Sequence, residues 1–188
     1  WLDRLDEEQP NVRAALAWSL QDERGDRQLG LRLAGALWVF WFRRGYISEG
    51  TRWLQLAFSA NPEASDAARA RLLTAEGSLA RLGGEFARAA TVLGAGAAFY
   101  RALWDAEGLA WALSHLGLVT QWLGDLDEGV EQLEESLTLR RQLGNPRDVA
   151  RSLFNLAIAE DFRRGYARAD GLYEEALALY RQTGDTWG

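Results

Sequence analysis

Two sets of chain-reversing residues recur along this sequence with one period. Glycines suited to end a helix fall at Gly45, Gly84 and Gly124, and a fourth, Gly165, arrives one residue late. Residues suited to open a helix, Asp26, Ser65, Asp105, Asn145 and Asp185, are spaced 39, 40, 40 and 40 residues apart. Pro146, directly after Asn145, is a favoured first helical residue. Two independent markers in one phase restrict the chain to a serial array of like units. The units run 26–62, 65–103, 105–143 and 145–183, behind an N-terminal stretch 1–25 that serves as a helical cap. Asp185 is in phase to open a further unit, so the array is expected to be truncated at the start of a repeat.

The unit itself is a helical hairpin, seen most clearly in Ala110–Leu143. Leu113, Leu116, Gly117 and Thr120 share one helix face, and Leu126, Val130, Leu133 and Leu137 another. Between them Gly124 suits a left-handed helix end, and Asp125 with Glu128 resembles a capping box. In every second helix a small residue recurs at Gly50, Ala89, Gly129 and Ala169, and another at Ala57, Gly96, Ser136 and Ala176. Leu54, Leu93, Leu133 and Tyr173 lie between them. Small side chains let helix backbones approach, and the large ones fill the space that remains. One hairpin cannot bury both faces, so stability must come from stacked neighbours.

In the cap, Leu2 and Leu5 predict a short helix and Pro10 starts another running to about Asp22. Ala14, Ala15, Trp18 and Leu20 of that helix are expected to pack on the first unit. At the far end an exposed apolar edge is expected around Leu172, Ala176 and Leu179. The fold class is all-α: nine or ten helices in a right-handed α-solenoid of about four hairpins.

Composition removes most alternatives. Ala, Leu, Glu and Arg dominate, which favours helix, and long Val/Ile/Thr runs are absent. There is no cysteine and one histidine, His115, so no thiolate chemistry and no metal cluster is expected. A net charge of −6 without a basic block argues against nucleic-acid binding. No long apolar run or signal-like start is present, so no membrane association is expected and a cytoplasmic location is. Methionine is absent even at the start, and the chain is expected to be a segment of a longer protein.

The third unit is similar to the tetratricopeptide repeat, through Leu116-Gly117, Gly124-Asp125-Leu126, Gly129 and Ser136. The fourth is similar through Leu156-Ala157, Tyr166, Ala169, Tyr173 and Ala176. The units are longer than the standard repeat of about 34 residues. Residues 1–60 carry a narrower resemblance: Trp1–Leu5, Asn11–Trp18, Leu31–Trp38 and Phe42–Leu54 look like the tetratricopeptide segment of bacterial signal-transduction ATPases. In that family the segment follows an ATPase module, and many members carry a LuxR-type helix-turn-helix or another output domain. The resemblance implies a sensory or regulatory role; no GxxxxGK[ST] phosphate loop lies in this chain.

The surface expected to bind is the concave face lined by first helices. An early set of inward residues is Arg32, Arg71, Trp111 and Arg151. A late set is Phe42, Arg43, Arg81, Gln121, Trp122, Asp161 and Phe162, with Thr74, Ser114 and Asn155 between. Arginine with aromatic residues suits an acidic peptide or a small carboxylate-bearing ligand. The competing reading pairs these arginines with glutamates of neighbouring helices as solvated ion pairs. Trp38, Phe40, Trp41 and Phe42 make one helix apolar nearly all round, either as core under helix 10–22 and the second unit or as a docking face. His115 has no nucleophile or paired carboxylate, and Gly94-Ala95-Gly96 follows no strand. No catalytic, cofactor-binding or metal-binding residue is expected, nor an enzyme. The expected function is a non-catalytic protein-interaction or sensor module of a larger bacterial regulator. Its partner would be a protein, a peptide or neighbouring domains of the same chain. The alternatives are a receptor for a small ligand or peptide, and a self-association module.

Overall fold

The computed structural model describes residues 1–184. Within them the chain forms ten α-helices and no strand. These are α1 (Leu2–Glu7), α2 (Gln9–Gln21), α3 (Arg27–Arg44), α4 (Ile47–Ala60), α5 (Asp66–Leu82), α6 (Phe86–Ala102), α7 (Ala106–Trp122), α8 (Leu126–Leu143), α9 (Pro146–Phe162) and α10 (Tyr166–Thr183). The chain divides into two compact units, Trp1–Phe99 and Tyr100 onward. Asp185, expected to open a further repeat, lies outside the described residues.

The helices begin where the capping residues fall. Asp26, Ser65 and Asp105 each accept the backbone N–H three residues on, and Asn145 accepts that of Arg147. Asp125 does the same from Glu128 at the start of α8. Gly45, Gly84 and Gly124 take the left-handed conformation in the turns. In the fourth hairpin Arg164 takes it instead, at φ 63°, and Gly165 sits at the N-terminus of α10. A Cβ at Gly165 would stand 2.6 Å from a Glu160 carboxylate oxygen, which is why the glycine is kept one place late. Trp104, at φ 57°, is a second bulky residue in this region, and its side chain is almost wholly in solvent.

In the first unit, Leu16 and Leu20 of α2 join Leu31, Ala34, Phe40 and Trp41 of α3 in one core. Trp53, Leu54 and Ala57 of α4 and Leu72, Ala75 and Leu79 of α5 complete it. The aromatic run of α3 is therefore core, with Trp38 and Phe42 half-buried at its margin. Two charged contacts hold the N-terminal helices: Arg13 with Glu49 at 2.7 Å, and Arg44 with Asp3 and Asp6. Arg13 keeps the Glu49 carboxyl below its usual range, chiefly through their hydrogen bond.

In the second unit, Val130, Leu133 and Leu137 of α8 pack with Val149, Leu153 and Leu156 of α9 and Ala176 of α10. Close approach inside the α7–α8 hairpin depends on glycine. A Cβ at Gly117 would lie 2.7 Å from the Gly129 carbonyl oxygen, and one at Gly129 2.9 Å from that of Gly117. The Ser136 hydroxyl crosses the same hairpin and donates to the Ala110 carbonyl at 2.8 Å. The expected apolar edge of α10 is smaller than its sequence implies. Ala176 is buried against α9, and Leu172 and Leu179 are half-covered by the same cluster, because they share its face. Leu177, on the other side, is the exposed one.

Candidate functional site

Within each unit, successive first helices bring the expected binding residues together in two places. In the first unit the Arg71 stem lies on Gly35 of α3, where a Cβ would stand 3.3 Å from it. Further along, the Arg81 guanidinium sits over the Phe42 ring at 5.7 Å, and Phe42 meets Trp38 edge-on. Burial pushes the Arg81 pKa down. Arg32 and Arg43 are exposed. Among the described residues, Arg32, Arg43, Arg71 and Arg81 make no ion pair, so the reading that spends them on neighbouring glutamates does not describe them. Those glutamates pair with other arginines, such as Arg13, Arg88 and Arg101.

The second unit repeats the arrangement with its aromatic residues differently placed. Arg151 of α9 stacks on Trp111 of α7, its guanidinium carbon 4.4 Å from the ring centroid. On the same α7 face Asn155 donates to the Ser114 hydroxyl at 3.1 Å. At the far end Trp122 and Phe162 approach to 6.3 Å, and both are largely exposed. His115 stacks on Trp111 at 5.4 Å and is buried, which is a packing position. Asp161 accepts the Tyr173 hydroxyl at 2.8 Å; burial and that carboxylate push the phenol up to about 12. Gln121 turns away from this surface. Its stem packs where a Gly129 Cβ would be, so it belongs to the interior of the hairpin.

One residue of this site escapes the first-helix pattern. Arg140, on the second helix α8, also lies over Trp111, its guanidinium carbon 5.1 Å from the ring centroid. It is 2% exposed, and burial and the charge of Arg151 push its pKa down to about 10 against the pull of Asp148 and Glu107. The signal was present: Arg140 continues the spacing of Leu133 and Leu137, so an arginine stands on an apolar stripe. Among the described residues, no group of His, Cys, Asp or Glu is placed to hold a metal, and no helix is long and apolar enough to cross a membrane.

Paired helices, left-handed turns and small residues at the backbone crossings of α7–α10 are now in view. Residues 108–182 match the tetratricopeptide repeat. No curated protein matches the chain by sequence. Among solved structures, BtubC from P. vanneervenii is similar over 98% of this chain and 76% of its own, with a TM-score of 0.79 and 16% identity. A putative kinesin light chain of Podospora anserina, with nearly identical TPR-like repeats, covers 98% and 93% at a TM-score of 0.74 and 16% identity. MamA from Desulfovibrio magneticus RS-1, from residue 41 to its end, covers 96% and 92% at 0.68 and 14%. At such identities the likeness gives the fold, a run of tetratricopeptide-like hairpins. It gives neither ligand nor partner.

Proposed function

We propose that the chain is a non-catalytic protein-interaction module that holds a peptide segment of its partner against the first helices. The observation carrying this reading is the stacking of first-helix guanidiniums on rings: Arg81 on Phe42, with no ion pair among the described residues, and Arg151 on Trp111, paired with Asp148 of its own helix. A half-exposed guanidinium over an aromatic face offers its N–H edges to a carboxylate and the ring to an apolar neighbour. In the second unit, exposed Trp122 and Phe162 stand at the far ends of the same two helices, α7 and α9.

The resemblance of residues 1–60 to bacterial signal-transduction ATPases supports a regulatory setting. A partner seated on the first helices would favour one packing angle between adjacent hairpins and so bias a neighbouring domain. Selection of random dodecapeptides on the immobilised chain tests the binding reading. Acidic, aromatic-containing sequences should be enriched, and each should lose affinity for Arg81→Ala or for Arg151→Ala, according to the unit that holds it, at unchanged urea midpoints. Failure to enrich any sequence, or binding indifferent to both variants, would remove the proposal.

A further inference from the structure

Arg140 is a buried charge that packing alone does not explain. Its Nη1 donates to the Asp148 backbone oxygen at 3.3 Å and to Asp148 Oδ1 at 3.4 Å, both long. The same Oδ1 is taken at 2.5 Å by Arg151 Nη2. One carboxylate thus serves two guanidiniums and favours the outer one. Arg140 Nε and Nη2 are buried and have no acceptor. Those two N–H groups form one edge of the guanidinium, the fork that meets both oxygens of a carboxylate. The Trp111 face attenuates the charge but supplies no directional acceptor to that fork. A residue needed only to fill this place on the Leu133–Leu137 stripe would be apolar.

We infer that Arg140 and Arg151, stacked on Trp111, form a carboxylate-binding subsite that takes a Glu or Asp side chain of a partner peptide. The inference rests on the peptide-binding reading and adds to it a floor residue from a second helix. Arg151 and Trp111, each partly exposed, give the carboxylate its approach. Apart from its stacking on Trp111, Arg151 is held there through Asp148, three residues back on its own helix, so it can turn outward and open the Arg140 fork. In direct contact the two arginines share a single aspartate, and Glu107 is the other acidic group whose charge reaches Arg140.

The probe is a fluorescein-labelled peptide of alternating Glu and Ala, followed by anisotropy at low salt and by the Trp111 indole N–H resonance. Wild type should bind with movement of that resonance. Arg140→Met should weaken binding about tenfold or more, the worth of a lost charge-assisted fork. Its urea midpoint should stay level or rise, since the buried charge is gone. Arg140→Lys, which keeps charge without the fork, should not restore affinity. Unchanged binding by Arg140→Met, or a Trp111 resonance that ignores the peptide, overturns the inference. So does free glutarate moving that resonance at lower concentration than the peptide, which would make a small carboxylate the occupant. Library-selected peptides that lose affinity for Arg151→Ala but not for Arg140→Met would leave the peptide-binding reading standing and remove the subsite.

Discussion

At the residue scale, the same substitution should have opposite signs at two glycines. Gly117→Ala would drive a methyl to 2.7 Å from the Gly129 carbonyl, and backbone cannot step aside. The expected cost of ~1–3 kcal/mol exceeds the ~1 kcal/mol that alanine gains in helix propensity, so the urea midpoint should fall. Gly171→Ala, in the exposed middle of α10 with nothing near its Cβ, should raise it by about 0.5–1 kcal/mol. Trp104 offers a third case. Its left-handed φ has no visible packing return, the side chain being 92% exposed, so Trp104→Gly should stabilise by roughly 1 kcal/mol in the same assay. Tyr173 supplies the pH dependence. Its phenol is held protonated to about 12, above its ordinary value of 10.0, so its contribution is complete below pH 10.0 and fades as pH rises through about 12. A spectrophotometric titration should show a late-ionising tyrosine component that Asp161→Asn brings down.

At the scale of elements, caps and turns were the most legible part of the chain, because each is decided by residues three or four apart. Asp105 accepts from Gly108 at 2.9 Å, and Asp105→Ala should cost about 1 kcal/mol by the loss of that bond at the head of α7. A thermal melt of the variant measures it. The displaced Gly165 was visible as an irregularity, but its reason was not, since Glu160 reaches it only after the turn has formed. Face assignments were legible to within one residue, and that margin decided Gln121: beside Thr120 on α7, it rotates into the hairpin against Gly129. The candidate site was legible where it lies on first helices. Arg140 was less legible, because it lies on the second helix of its pair and its guanidinium reaches across to Trp111 on the first. Sequence spacing likewise could not reveal that Arg151 and Arg140 share Asp148.

At the scale of the molecule, the two units have their own cores, and damage to one should be read first where it is made. Hydrogen exchange of Gly117→Ala should accelerate in α7 and α8 while the amides of α3 to α5 keep their protection; equal acceleration throughout would show a single cooperative block. The second unit also repeats one ion-pair spacing. Arg101 holds both oxygens of Glu135, and Arg141 holds both of Glu175, each 34 residues downstream. The chain thus carries a modular joint that survives duplication. A second copy of residues 105–144 spliced in after Gly144 would set Arg141 34 residues ahead of the copied Glu135, and the copied Arg141 would reach Glu175 as before. At the new seam, however, Gly108 and Trp111 would stand where Asp148 and Arg151 stand now. Lengthening the array in this way would preserve its mechanical register while leaving the native arginine pair unique to one seam.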